Sequence, residues 1–179
     1  PDVASVISHP AVPLALAVAL GPHRVPPVLT AVACAVSVLP DIDAFGFIAG
    51  VPYGHPFGHR GFTHSLFFAF VVALVGAAFG RRVGVLPSLA FVILFVSAAS
   101  HGILDAMTTG GLGVAFFSPF SNARYFLPWR VILVSPIGVG SFFSSWGLRV
   151  LRSELLWIWT PALVFAAVGA AARGLMEAG

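Results

Sequence analysis

Six histidines and six acids carry the chemistry of a 179-residue chain that is otherwise 59% hydrophobic and 8% charged. Half of them fall in three short strings. Asp41 and Asp43 lie in LPDID, His59 and His64 in HRGFTHS, and His101 and Asp105 in SHGILD; His9 precedes them and Glu154 follows. Imidazole and carboxylate with no cysteine nearby form a donor set for Zn2+, or for Mn2+ and similar ions, rather than an all-oxygen Ca2+ cage. His101 and Asp105 stand four apart and share one helix face. His59 and His64 are five apart, about 140° around a helix. Both fit one site if His59 sits in a loop, Gly61 turns the chain, and His64 opens a helix that Thr63 caps. An extended backbone at Asp41-Ile42-Asp43 would point the two carboxylates to opposite sides. One would then bind metal while the other orients a histidine ligand from behind. Four histidines and up to four carboxylates exceed the needs of one tetrahedral ion. Two ions about 3.5–4 Å apart, sharing a carboxylate and a water, would use them all. We expect His9, Asp43, His59, His64, His101 and Asp105 as metal ligands, with Asp41 and Asp43 interchangeable in that role. Asp41, Glu154, Arg60 and Arg124 are expected in catalytic roles.

Each residue also has a plainer assignment. His9 and Pro10 could mark a helix start, Asp41 and Asp43 could cap the next segment, and Glu154 could pair with Arg149 or Arg152. Arg60 and Arg124 could snorkel to the interface. His23 and His55 read as loop residues, and Cys34 as a small buried hydrophobe.

The elements that must position these residues are membrane helices. An ordinary soluble domain is roughly 25% charged and about half apolar, so the composition excludes disorder, a disulfide scaffold, a coiled coil and almost any soluble enzyme. All nine cations are arginines, scattered singly or in pairs, which makes no nucleic-acid groove. A span needs about 20 mostly apolar residues. Five segments approach that: 3–20, 25–39 (ended by Pro40), 62–79, 83–107 and 155–172 (with Pro161 as a possible kink). The expected fold is one all-α polytopic membrane domain over residues 1–179. PDVASVISHP lacks a basic n-region, so no cleaved signal peptide is expected. Two long connections, 41–61 and 108–153, are rich in Gly, Pro and aromatics; part of the second, 131–143, is apolar enough to lie in or dip into the membrane. Because successive helices alternate in direction, His9, Asp41, Asp43, His59, His64, His101, Asp105 and Glu154 all fall near one membrane face. Arginines in the short turns lean those turns towards the cytoplasm, and the polar face towards the periplasm of an inner membrane.

LPDID, HRGFTHS, SHGILDAMT and FSPFS, in this order, resemble the YdjM-like family of LexA-linked inner-membrane proteins, described as membrane-bound metal-dependent hydrolases. The resemblance runs from His9 to about the fifth span. That family is grouped with zinc-dependent phospholipase C and related nucleases, all-α phosphoesterases with a cluster of zinc ions. Their ligand order implies His9, then Asp41 or Asp43, then His59 or His64, then His101 with Asp105. No histidine follows His101, so a third ion would lack its ligands, and Glu154 is the acid left to stand in for a later Glu.

The expected function is hydrolysis of a lipid or lipid-linked phosphate ester at a two-zinc centre, with Arg60 and Arg124 holding the phosphate. No nucleic-acid partner is expected. The rivals are a metal-dependent amidase or peptidase, a regulator or scaffold with a structural metal, and a metal or proton transporter. No HExxH or GxSxG motif supports a known protease template. A transporter would place its ligands near the bilayer midplane rather than at helix ends.

Overall fold

The computed structural model describes residues 5–134 and 144–178. Its helices are α1 (Ala11–Leu20), α2 (Pro27–Val38), α3 (Phe45–Ile48), α4 (Leu66–Ala78), α5 (Pro87–Ala106), α6 (Ser145–Glu154) and α7 (Thr160–Ala178). Among the described residues there is no strand, only isolated bridges pairing Thr108 with Ile132 and Val114 with Tyr125. Pro27 and Pro87 open α2 and α5 at the first helical position, where a missing N–H costs nothing. Ser65 and Ser144 cap α4 and α6, their hydroxyls accepting from the N–H of Phe68 and Gly147.

Helix α5 is the central post, packed between α2 and α4. Leu29 and Ala33 of α2, Ala73 and Ala77 of α4, and Ala90, Ile93 and Leu94 of α5 form one buried cluster. Ala69, Ala73 and Ala77 recur every four residues on the buried face of α4. Such small residues let helices approach closely where apolar burial alone cannot drive association. The long C-terminal helix packs on α1 instead. A Cβ on Gly169 would lie 2.4 Å from that of Ala19, so only glycine permits this crossing. Ala11, Leu104, Ile132 and Ile158 form a second cluster joining the start of α1 to the end of α5. The outward faces remain apolar, as at Leu74 and Val75 of α4 and Leu163, Val164 and Val168 of α7.

Three helical stretches are long and apolar enough to cross a membrane: Pro27–Ile48, Pro87–Ala106 and Ser145–Ala178. The other two expected spans are the shorter helices α1 and α4. Pro40 does not end the second span. The chain tightens into a 3-10 turn over Leu39–Ala44, with Pro40 in its first positions, and continues through α3. Asp41-Ile42-Asp43 is therefore helical rather than extended. In a 3-10 turn, residues two apart diverge by about 120°, so the two carboxylates splay instead of opposing each other. Thr63 does not cap α4 either; a 3-10 turn over Phe62–His64 precedes it, and the chain extends at Ser65 (ψ 156°) before the helix begins. Between α6 and α7 lies a π-helical turn, Leu155–Trp159. The N–H and hydroxyl of Thr160 both donate to the Leu155 carbonyl five residues back, just ahead of Pro161, whose ring would crowd an ordinary helical turn. Of the apolar stretch expected at the interface, Ile132 is buried; residues 135–143 lie outside the described residues.

Candidate metal centre

Four elements deliver the polar strings to one end of the bundle. The 3-10 turn after α2 carries Asp41 and Asp43, the loop before α4 carries His59, the turn at its start carries His64, and the last turns of α5 carry His101 and Asp105. Gly102 explains how α5 comes so near, since a Cβ there would meet the His64 carbonyl oxygen at 2.8 Å. Arg60 adopts a left-handed backbone (φ 59°) between His59 and Gly61. That conformation is uncommon without glycine, and it sets the course of the chain between the two histidines.

Hydrogen bonds fix the tautomers. His101 Nδ1 donates to the backbone carbonyl of Ser37 at 2.8 Å. A carbonyl only accepts, so in the neutral ring the lone pair is on Nε2. His64 Nδ1 lies 3.0 Å from Asp43 Oδ2, and His59 Nδ1 lies 2.6 Å from Asp43 Oδ1. A carboxylate also accepts, so in the neutral form of both rings the lone pair is again on Nε2. Thr63 donates its hydroxyl to Asp43 Oδ2 as well. Asp43 thus stands behind two histidines and holds both rings.

The bare atoms converge. His64 Nε2 and His101 Nε2 are 3.0 Å apart. Asp41 Oδ1 lies 3.4 Å from His101 Nε2 and 3.7 Å from His64 Nε2. Asp105 Oδ2 lies 3.4 Å from His64 Nε2 and 3.8 Å from His101 Nε2. Ligand atoms bound tetrahedrally at about 2.0–2.2 Å stand about 3.3–3.6 Å from one another. The observed spacings bracket that range, so this donor set fits a zinc-sized ion. Asp41 and His64 also belong to a second ligand group with Asp43 and His59. His59 Nε2 is buried without a hydrogen-bond partner, as are both oxygens of Asp41.

The remaining predicted residues surround this centre in different ways. His9 is fully buried, its ring stacked on His101 at 3.7 Å between centroids, with neither nitrogen hydrogen-bonded. Arg60 is fully buried; its Nε lies 3.1 Å from Asp105 Oδ2 and its Nη1 donates to the Gly110 carbonyl. Arg124 donates to the carbonyls of His59, Gly113, Tyr53 and His55. Partial burial lowers its pKa from the ordinary arginine value, and burial pushes the neighbouring Tyr53 phenol up. Glu154 is not among the gathered ligands. Its buried carboxylate accepts from the Ser5 N–H at 2.6 Å, the Ser5 hydroxyl, and the Ser8 hydroxyl at 2.8 Å. Trp159 Nε1 in turn donates to Ser8. Glu154 therefore anchors the segment that ends in His9. His23 and His55 are exposed, and Cys34 is partly buried on α2.

Sequence reasoning missed three contributors: the Ser37 carbonyl, the Thr63 hydroxyl as a partner of Asp43, and the Ser5–Ser8 pair. Only Thr63 left a signal, by its place inside HRGFTHS.

Apolar membrane-length helices wrapped around a buried histidine–aspartate cluster define an integral membrane protein with a candidate metal centre. The chain belongs to the YdjM inner membrane protein family, whose model matches residues 5–177. It is also 45% identical over 163 residues to inner membrane protein YbcI of Escherichia coli (strain K12), covering 89% of this chain and 93% of that one. Family and helices together support an inner-membrane location. No solved structure matches.

Proposed function

We propose that this chain is a metal-dependent hydrolase of the inner membrane that cleaves a phosphate ester of a lipid, with its site facing the periplasm. The observation that carries the proposal is the convergence of two imidazole lone pairs and two carboxylates, each ring nitrogen held bare by a hydrogen bond on its far side. With both rings neutral, four acceptors face one another; Arg60 beside Asp105 offsets this only in part, and a cation among them would relieve the rest. The two ligand groups share Asp41 and His64, as expected where two ions lie side by side. Zinc, or manganese in its place, would supply Lewis acidity towards a phosphoryl oxygen and a water of lowered pKa.

The residues then divide the work. His64, His101, Asp41 and Asp105 would hold one ion, and His59 with Asp41 would contribute to a second. Asp43 and the Ser37 carbonyl orient the rings, as partners behind metal ligands commonly do. Arg60 holds Asp105 in place and offsets part of the negative charge of the cluster. Arg124 braces the loop that carries His59. The grouping of YdjM-like proteins with zinc phospholipases favours a phosphoester over an amide.

The test is purified protein with bound metal measured by mass spectrometry. It is then incubated with phospholipids, lipid pyrophosphates, soluble phosphodiesters and peptide substrates. Chelator-sensitive release of phosphate or a phosphorylated headgroup supports the proposal. Cleavage of peptides alone moves the assignment to a peptidase. No turnover on any of them, with metal uptake into proteoliposomes down an imposed gradient, moves it to a transporter.

A further inference from the structure

The site's depth in the bilayer follows from helix lengths. At the end of the bundle away from the metal centre lie Arg24, the Arg81–Arg82 turn and Arg173, which mark a membrane surface. From there α4 rises over 13 residues and α1 over only 10 before reaching the site. At 1.5 Å per residue, His64 stands about 20 Å above the Arg81–Arg82 turn, and His101, fourteen residues into α5, stands at about the same height. The hydrocarbon core of a bilayer is about 30 Å thick. Helix α5 reaches the far surface only at Ala106, beyond His101, while α4 begins about 10 Å short of it; the chain after α5 turns back to that level, where the Leu66 N–H donates to the Phe116 carbonyl and the Phe120 ring packs edge-on against Phe67.

Those loops are built unlike loops in water. Phe120 is 83% exposed and Trp129 77%, Phe57 and Phe117 are exposed too, and α3 beside them exposes Phe45 and Ile48. Residues 44–61 and 107–134 contain no acid. Their backbone finds partners inside the protein: Ala115 N–H donates to the Arg60 carbonyl, Leu66 to Phe116, Leu127 to Ala106, and Val114 and Tyr125 to each other. Carbonyls left over are taken by arginines. Arg60 reaches Gly110, Arg124 reaches four carbonyls, and Arg130 reaches Thr108 while its guanidinium stacks 3.8 Å from the Phe126 ring centre. Irregular backbone is tolerated at membrane depth only where its polar groups are satisfied by protein.

We propose that the metal centre lies below the membrane surface, roughly 5–10 Å inside the hydrocarbon boundary, and that the loops around it are immersed and contacted by the acyl chains of bilayer lipids. A ligand then reaches the centre sideways from the bilayer rather than from bulk water. This inference stands on helix length and loop composition and does not depend on hydrolysis.

The test uses the full chain in phosphatidylcholine–phosphatidylglycerol vesicles, with Cys34→Ser as background. Single cysteines replace Ile48 at the end of α3, Phe120 or Trp129 in the loops, Leu74 on the outer face of α4, and Arg82 at the opposite end. Each carries a nitroxide, and collision with oxygen is compared with collision with a water-soluble nickel chelate. All five positions are exposed, so the label does not disturb packing. The loop labels should match Leu74, with an oxygen-to-nickel ratio about threefold or more above that of Arg82. Loop labels as open to the nickel chelate as Arg82 would overturn the proposal, whatever the protein hydrolyses.

Discussion

Among the described residues, the Glu154 cluster and the histidine–aspartate cluster are both buried, and they are satisfied in opposite ways. Glu154 receives three hydrogen bonds from Ser5 and Ser8, so its charge is met entirely by donors of the chain. Asp41, His64, His101 and Asp105 present acceptors to one another, with the two histidine Nδ1 donors turned outward to the Ser37 carbonyl and Asp43 and with Arg60 beside Asp105 alone. The first cluster is complete as folded, and the second has a place for a cation. A buried acid alone does not mark a metal site; what distinguishes the two is where the protons are.

That contrast sets out what substitutions should do. His101→Ala should have the largest effect: metal content falls by at least one ion per chain and turnover drops below detection. The protein should still elute as a single folded species, because membrane helix packing does not hang on one side chain. Asp43→Asn should weaken metal binding by about 10–100-fold, since it loosens the rings of both His59 and His64 without removing a bare nitrogen; a chelator competition titration measures this. Glu154→Gln should leave metal stoichiometry unchanged and lower stability by about 2–3 kcal/mol, because a charged acceptor of three bonds becomes a neutral amide. Metal loss in Glu154→Gln at temperatures where the fold persists would erase the distinction between the clusters. Ser8→Ala removes one of those donors and should cost about 1 kcal/mol in a detergent melt, with no change in metal.

Much of the centre is legible in the sequence because ionisable residues are so rare in this chain. In a background of Phe, Leu, Val and Ala, LPDID, HRGFTHS and SHGILD stand out, and the alternation of helix direction brings them to one face. The i, i+4 spacing of His101 and Asp105 carries directly into geometry. The local backbone at Asp41 is not legible, because Pro40 is compatible with both a helix end and the first positions of a 3-10 turn. The roles of Arg60 and Arg124 are hidden for another reason. An arginine near histidines suggests a phosphate, but backbone carbonyls in an irregular loop compete for the same guanidinium, and carbonyls leave no trace in residue identity. The Ser37 carbonyl is invisible on the same ground. Glu154 falls on the expected side of the membrane, yet its partners Ser5 and Ser8 are nearly 150 positions away, and no local pattern links them.

The π-helical turn at Leu155–Trp159 acts as a phase shifter. An α-helix advances 100° per residue, and a widened turn inserts about one residue's worth of rotation without breaking the rod. Glu154 and Ile158 before its end face the protein, and so do Ala166 and Gly169 beyond it. The C-terminal rod thereby serves two clients that a single helical phase would not both meet: upstream it clasps the segment ending in His9, and downstream it seats Gly169 against Ala19. Removing one residue from the widened turn would restore a uniform helix and rotate one of those faces by about 100°, out towards lipid. The angular register of the last helix thus sets how firmly the first histidine is held.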